Sequence, residues 1–147
     1  MAKMKIETMA LSDLKEYANN PRRNTKAVNA VLESIKKFGF NNPILINKDN
    51  VILAGHTRIE ALRKTGALNA EVIRLTHMTE EQERAFRIAD NRTAEFSKWD
   101  QALLDAGMKK IDANDWEKFG FSKTQIERLA APGICKCPKC GKEFVKV

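Results

Sequence analysis

The residues best suited to chemistry in this sequence lie in the stretch LAGHTRIEAL, at positions 53–62. Gly55 ends an apolar run, and His56, Thr57 and Arg58 open the helical pattern that follows it. A glycine lets the backbone turn sharply, and the amides at a helix N-terminus favour an anion. The guanidinium of Arg58 can add a bidentate contact to a phosphate. The stretch therefore indicates a phosphate-binding site, with a plain strand-to-helix turn and a solvated arginine as the alternative.

Two more stretches concentrate polar side chains that a ligand could use. The irregular loop NNPRR carries the guanidinium groups of Arg22 and Arg23. The end of an amphipathic helical pattern carries Arg87, Asp90, Asn91 and Arg92. Because arginine makes strong charge-assisted hydrogen bonds to phosphate, these residues strengthen the prediction of a binding site.

The elements that must position these residues alternate between strands and helices. Apolar residues spaced by three and four from Val28 to Phe38 predict a helix over 25–38, and Gly39 suits its left-handed cap. Thr79 and Gln82 have the spacing of a capping box. This alternation predicts an α/β fold. The other predicted elements are strands at 4–10, 43–47, 51–54 and 70–75, a helix from His56 to Gly66 and a helix from Thr79 to about Asn91.

Composition excludes some classes of protein. The 147 residues are 43% apolar and 31% charged, and no run of 18 apolar residues that could cross a membrane occurs. The N-terminal stretch lacks the sustained apolar run of an export signal, so a cytoplasmic protein is expected. Lysine and arginine exceed aspartate and glutamate by 26 to 19, a net charge of +7. That charge suits a polyanion such as DNA or a nucleotide, although it also serves ordinary solubility.

Three segments are expected along the chain: a main domain at 1–98, a helical extension at 99–130 and a tail at 131–147. The extension is predicted to hold two short helices, at about 100–110 and 122–130. Its aromatic residues Trp116, Phe119 and Phe121 are interpreted as packing residues rather than a base-stacking platform, because the chain has few aromatics to pack with.

The tail contains all three cysteines of the chain, in ICKCPKCGKEF. The spacing of Cys137 and Cys140, with Gly141 after them, resembles a zinc-knuckle turn, and Cys135 is a candidate third ligand. A structural zinc needs four ligands. The fourth would come from His77, Glu143, water or the tail of a second chain, which would make a homodimer. A disulfide and a reduced tail without metal are the alternatives.

Four motifs in chain order resemble the ParB/sulfiredoxin-like superfamily, in its ParB N-terminal domain branch: NNPRR, SIKKFGFNNPILI, ILAGHTRIEALRKTG and MTEEQERAFRIADNRTAE. The resemblance covers about residues 5–100. It implies a small mixed sheet with surrounding helices that binds a nucleoside triphosphate, ATP or CTP, with the phosphates at the helix after the glycine turn. The pattern is closer to the short ParB-like proteins of phages and mobile elements, and to the N-terminal modules of some DNA methyltransferases, than to partition proteins, which implies a partnership with DNA.

Residue by residue, the turn only partly follows the pattern Gly-Glu-Arg-Arg-x-Arg-Ala of partition proteins. Gly55, Arg58 and Ala61 match it. His56, Thr57 and Glu60 replace a glutamate and two arginines, so two basic phosphate contacts are absent.

The family's later Glu-Asn-x-x-Arg pattern is met by Asp90 and Asn91, while Ala94 stands at the arginine position and Arg92 is displaced by two. Since carboxylate and amide oxygens are hard ligands, Asp90 and Asn91 are implied to organise a magnesium ion beside the phosphates. Sulfiredoxins, by contrast, have Gly-Cys-His-Arg at the turn. Here His56 stands at the cysteine position, which argues against reduction of a sulfinic acid.

Two classes of function stay open. A nucleotide-dependent switch would bring basic residues to DNA and predicts slow or no turnover. Those residues are Arg22, Arg23, Lys36, Lys37 and Arg63. An NTPase or phosphotransferase would use His56, Glu60 or Asp90 as a base, although His56 could instead bond a neighbouring backbone group. A metal-dependent nuclease is a weaker third, because no dense carboxylate cluster occurs.

Overall fold

A computed structural model describes residues 4–18, 25–110, 115–130, 134–136 and 143–145. The chain divides into two compact units, Met1–Lys98 and Trp99–Val147. Arg22, Arg23, Cys137 and Cys140 lie outside the described residues. Among the described residues, no helix has the length and apolar character needed to cross a membrane.

The first unit is built on a four-stranded mixed sheet. Its strands are β1 (Ile6–Ala10), β2 (Ile44–Ile46), β3 (Ile52–Ala54) and β4 (Asn69–Arg74). They stand in the order β1-β4-β2-β3, with β2 and β4 parallel and the other two pairs antiparallel. The predicted α/β fold with a small mixed sheet is confirmed.

Three helices accompany the sheet: α1 (Thr25–Phe38), α2 (His56–Thr65) and α3 (Glu80–Glu95). The apolar positions that predicted α1 and α2 bring these helices against each other, and α2 packs on β2. Burying a branched aliphatic side chain contributes about 1.5–3 kcal/mol, which explains why β2, β3 and α2 form the centre of the fold. The core residues are Leu11, Leu14, Ile44, Ile46, Ile52, Ile59, Leu62, Ala70 and Val72.

Helix α3 starts where the sequence predicted and ends later. Thr79 accepts a hydrogen bond from the Gln82 amide, and the Gln82 side chain accepts one from the Thr79 amide, so the capping box is formed. The predicted end near Asn91 was wrong, because the helix continues to Glu95. No glycine or proline follows Asn91 to stop it. The hydroxyl of Thr93 donates back to the carbonyl of Ala89 at 2.9 Å within the helix.

The second unit contains α4 (Gln101–Lys109), α5 (Lys123–Ala130) and an antiparallel pair of short strands, β5 (Ile134–Lys136) and β6 (Glu143–Val145). Both helices were predicted. The ring of Trp116 packs edge-on against Phe119 and Phe121, with centroids 6.3 and 5.6 Å away. These aromatic residues therefore pack on one another, as their sparse number predicted.

Candidate nucleotide site

A cavity of about 510 Å³ opens where α1, the turn after β3, and α3 come together. Helix α1 supplies an apolar wall that includes Ala27, Val31, Ile35 and Phe38. The turn and α3 supply polar groups. These are Gly55, His56, Thr57, Arg58, Asp90 and Asn91. Six residues that the sequence analysis singled out from two separate motifs therefore line one cavity.

The glycine turn is shaped so that only glycine fits at its centre. Gly55 has φ +114°, in the left-handed region that side-chain-bearing residues rarely adopt. A Cβ placed there would lie 3.3 Å from Cγ1 of Ile44 and 3.4 Å from the guanidinium of Arg58. Gly55 has no side chain with which to cap the start of α2, and its carbonyl accepts hydrogen bonds from the amides of Arg58 and Ile59, at 2.9 and 3.0 Å. The positive end of the helix dipole therefore lies at the cavity, where it favours an anion.

Arg58 links the turn to the loop that precedes β2. Its Nη1 donates to the carbonyl oxygens of Asn42, at 2.7 Å, and Pro43. The side chain is about half-buried, and burial lowers the pKa of Arg58 while the carboxylate of Asp90 acts in the opposite direction. Arginine remains charged at neutral pH even so. Arg58 thus holds the loop in place and adds positive charge to the cavity, facing a carboxylate on α3.

His56 is held as a neutral imidazole. Burial lowers the pKa of His56 below its ordinary value of 6.5, and the charge of Arg87 lowers it further, against the opposing effects of Glu16 and Glu60. Its Nε2 is enclosed and has no hydrogen-bond partner among the described residues. An enclosed atom does not reach a ligand, so in this conformation Nε2 is poorly placed for the predicted role of general base. The backbone bond proposed as the alternative would therefore have to be made by Nδ1 of His56.

Asp90 and Asn91 come to the cavity from the last two turns of α3. The side-chain nitrogen Nδ2 of Asn91 donates to the backbone carbonyl of Arg87 at 2.7 Å, which sets the direction of the Asn91 side chain. Among the described residues, no three His, Cys, Asp or Glu side chains stand close enough to hold a metal by themselves. Magnesium usually takes one or two protein oxygens together with substrate phosphates and water. The pair therefore fits a metal that arrives with a nucleotide better than a permanently bound one.

Other predicted residues lie elsewhere. Glu60 is exposed and is not among the residues that line the cavity. Arg92 is also outside it, since its Nη1 lies 2.6 Å from Oε2 of Glu95 and its guanidinium lies over the ring of Phe96. Cys135 lies in β5, opposite Phe144 in the strand register. The roles given to these residues stay predictions.

Part of the cavity wall was not predicted from the sequence. Asn41 and Asn42 line it, as do Ser34 and Phe40. Asn41, two residues after the left-handed Gly39 at φ +83°, donates to the carbonyl of Phe38 at 2.5 Å. The run FGFNNP, which places two amides and two aromatic rings around a helix-ending glycine, was the available signal.

A mixed four-stranded sheet, in which one strand passes through a glycine turn into an uncapped helix, defines a class of small α/β domains. The chain belongs to the ParB N-terminal domain family, whose model matches residues 1–92. The chain is 40% identical over 83 residues to the ParB-like nuclease domain-containing protein YnaK of Escherichia coli strain K12, covering 56% of this chain and 95% of that protein.

One solved structure with a ParB fold agrees with the family at the level of fold. The C-terminally truncated chromosome-partitioning protein ParB from Caulobacter crescentus, in complex with CTP-γ-S, superposes with a TM-score of 0.62 at 17% identity, over 85% of this chain and 70% of that one. Sulfiredoxin from Arabidopsis thaliana matches with a TM-score of 0.47 at 21% identity, over 56% of this chain and 96% of that one.

Proposed function

We propose that this protein is a ParB-like nucleotide switch of the phage and mobile-element type, which binds a nucleoside triphosphate with magnesium and associates with DNA. The observation that carries the proposal is the meeting of two chemistries in one cavity. An uncapped helix start and Arg58 supply positive charge, and Asp90 and Asn91 supply oxygen ligands beside it. A triphosphate with its metal needs both.

The nucleotide is proposed to lie with its phosphates at Gly55–Arg58 and its nucleoside toward α1. The α1 wall is apolar, and Phe38, which is 61% exposed, offers a ring face on which a base can stack. Asn41 and Asn42 offer amide groups for the edge of the base. A relative with the same fold, the Caulobacter crescentus ParB, has been solved with CTP-γ-S, which makes CTP a first probe beside ATP.

Association with DNA rests on charge and family membership. The net charge of +7 gives the chain an attraction to phosphate backbones, and such binding weakens steeply as salt rises. The candidate contacts remain Arg22, Arg23, Lys36, Lys37 and Arg63. Of these, Lys36 pairs with Glu33 at 2.9 Å and Arg63 pairs with Glu16, so both bonds would have to give way to DNA.

Calorimetric titration with ATP, CTP, GTP and ADP, each with and without magnesium, tests the proposal. Arg58→Ala is expected to weaken the preferred triphosphate by about tenfold or more, since a hydrogen bond to a charged group contributes roughly 1.5–3 kcal/mol. Arg84→Ala is the matched control, because Arg84 is an exposed arginine that is not among the residues lining the cavity. Equal losses in both variants, or no binding of any nucleotide by the unaltered protein, would contradict the proposal.

Phosphoryl transfer or NTP hydrolysis is the second candidate, favoured by the presence of the Asp90 carboxylate inside the cavity. Asp90 can serve as a metal ligand or as a base. An enzyme would release phosphate or transfer it in repeated cycles, and Asp90→Asn would abolish this. A switch would bind nucleotide without sustained phosphate release.

The zinc-bound tail is a separate part of the proposal. Strands β5 and β6 run antiparallel on either side of the segment that contains Cys137 and Cys140, and Cys135 lies within β5. The Cys-x₂-Cys spacing of Cys137 and Cys140 is one that structural zinc sites use. Zinc is expected to co-purify with the full chain and to be lost when the chain is truncated after Ala130. Zinc retained by the truncated protein would place the metal elsewhere, and an unchanged oligomeric state would remove the tail as a dimer contact.

A further inference from the structure

The most buried side chains of helix α3 are two charged residues, while its large apolar residue Phe86 is only half-buried. Of its sixteen residues, all of them described, Glu83 and Arg87 are the two that are buried, with 8% and 7% of their surfaces exposed. Ile88, a large apolar residue of the same helix, is 64% exposed. A helix on a globular domain is ordinarily held by an apolar stripe. The position of α3 therefore depends unusually strongly on two polar contacts.

The partners of these two residues belong to the hairpin that leads to the glycine turn. Oε2 of Glu83 accepts a hydrogen bond from Nδ2 of Asn47 at 2.9 Å and lies 3.7 Å from Nη2 of Arg87. The Nε of Arg87 donates to the carbonyl of Ile52 at 3.2 Å, and its guanidinium lies 4.0 Å from the ring centre of Tyr17. We call Asn47, Glu83 and Arg87 the anchor network.

Both ends of the anchor network are fixed. Oδ1 of Asn47 accepts from the amides of Asp49 and Val51, each at 2.9 Å, so its side chain is locked into the turn between β2 and β3. Ile52 is the first residue of β3, and Gly55 follows the end of that strand. The network thus joins α3 to the strand that carries the other half of the nucleotide cavity.

The helical geometry connects the anchor network to the cavity. Asp90 and Asn91 follow Arg87 by three and four residues, about one turn of helix. Asn91 is also bonded to the carbonyl of Arg87. A rotation or shift of α3 at Arg87 therefore moves Asp90 and Asn91 by a similar amount. Removing one partner of a buried ion pair leaves an uncompensated charge, so the helix would have to move to relieve it.

We propose that the anchor network is a positioning device, which places Asp90 and Asn91 across the cavity from the start of α2; this inference rests on the proposed nucleotide function of that cavity. Arg87 and Glu83 touch no ligand in this account. They act through the two oxygen-bearing residues that follow them on α3. The consequence is specific: loss of the network should remove the contribution of magnesium to nucleotide binding and spare the contribution of the helix start and Arg58.

The first test compares the Kd for CTP and ATP without magnesium with the Kd with magnesium. Arg87→Met should lower the ratio of the magnesium-free Kd to the magnesium-bound Kd about fivefold or more, toward one. The magnesium-free Kd itself should stay within about twofold of that of the unaltered protein. Arg74→Met is the matched control. Arg74 donates to the Asn47 carbonyl and to Asn50 and pairs with Glu7, so it supports the same hairpin through partners that lie outside α3. The control should keep the ratio unchanged.

A double variant separates positioning from a general loss of stability. If Arg87 acts through Asp90, adding Arg87→Met to Asp90→Asn should change the magnesium-bound Kd by less than about twofold. Additive losses in the double variant would overturn the proposal. So would an equal fall of the ratio in Arg87→Met and Arg74→Met, because that would mean that any weakening of the hairpin has the same effect.

Hydrogen exchange without nucleotide keeps this inference distinguishable from the proposed function. In Arg87→Met the amides of α3 should lose protection about tenfold or more, while those of α1 and α2 keep theirs. If Arg87→Met does not fold, the same measurement is made on Glu83→Gln. That variant keeps an oxygen acceptor for Asn47 and removes the negative charge beside Arg87. Failure of the unaltered protein to bind any nucleotide would refute the proposed function alone. Unchanged exchange in α3, or a uniform loss over the whole unit, would refute the anchor network as a positioning device.

Discussion

The starts of α2 and α3 solve the same physical problem in opposite ways. Every helix begins with amides that have no partner within the helix. At α3, Thr79 and Gln82 satisfy them reciprocally through a capping box. At α2, the residue before the helix is Gly55, which has no side chain to offer, and the helix start lies at a cavity. The second start is the one that suits an anion.

The difference shows why a helix start alone says little about function. Thr79 is an efficient local cap, and it makes α3 begin at the same residue whether or not a ligand is present. Gly55 has no side chain for such a cap and adopts a left-handed backbone in a place where a Cβ would lie 3.3 Å from Ile44. A helix start without a side-chain cap is less stable than a capped one, typically by about 1 kcal/mol relative to alanine, so the open start of α2 is better explained by a ligand than by stability.

The largest effect is expected from Gly55→Ala, which closes the open start with a methyl group. The added Cβ meets Ile44 and Arg58 and forces a left-handed backbone on alanine, so we expect a loss of about 1–3 kcal/mol in the free energy of unfolding and loss of nucleotide binding. Gly66→Ala is the control, because Gly66 has φ +78° with no atom within 4 Å of the added Cβ. Chemical denaturation and calorimetry should show a smaller stability loss and intact binding in the control. Comparable binding losses in both would contradict the account.

Arg58→Lys sharpens the comparison, because it keeps a positive charge at the start of α2 and removes the planar guanidinium group. Lysine cannot reproduce the planar, multiple-donor contact of arginine with the Asn42 and Pro43 carbonyls. We expect an affinity between those of the unaltered protein and Arg58→Ala, weaker than the former by about fivefold, or ~1 kcal/mol. An affinity equal to that of Arg58→Ala would mean that loop geometry, rather than charge, governs binding.

Thr79→Ala tests the capped start. Loss of an N-cap threonine costs about 1 kcal/mol, so thermal and chemical denaturation should report a protein destabilised by that amount. Nucleotide affinity should stay within about twofold, because Thr79 does not line the nucleotide cavity. A large loss of affinity would show that the two helix starts are not independent.

The smallest effect concerns pH and His56. Since the pKa of His56 is lowered in the folded protein, the unfolded state binds more protons below about 6.5. The stability contributed by the neutral imidazole is therefore present above pH 6.5 and declines as the pH falls below it. His56→Gln should show a shallower decline between pH 7.5 and 5.5 in denaturant titrations. His77, the other histidine of the chain, is present in both proteins and cancels from the difference. Parallel curves would contradict the assignment of a neutral, buried His56.

The sequence could predict what depends on neighbours along the chain. The periodic apolar residues of α1, the glycines at both ends of α2 and the Thr79–Gln82 box are local signals, and the structure agrees with each. They were sufficient to bring Gly55–Arg58 and Asp90 into one hypothesis, with the help of family resemblance.

The sequence could not predict contacts that are made across the fold. Glu83 and Arg87 are four residues apart, a spacing that in sequence is typical of an exposed ion pair on a helix surface. They are buried because Asn47, 36 residues before Glu83, and the Ile52 carbonyl lie next to them in space. The enclosure of Nε2 of His56 and the attachment of Arg58 to the loop before β2 likewise arise only from tertiary packing.

An NMR titration of the isotope-labelled protein with magnesium and CTP or ATP tests the central claim most directly, because it observes both helix starts at once. The account predicts that the backbone amide signals of His56, Thr57 and Arg58 shift in a saturable manner, together with those of Asp90 and Asn91. The signals of the Thr79–Gln82 box should move far less. Saturable shifts centred on the box, or no shift at α2 with any triphosphate, would contradict the assignment of the uncapped start as the phosphate site.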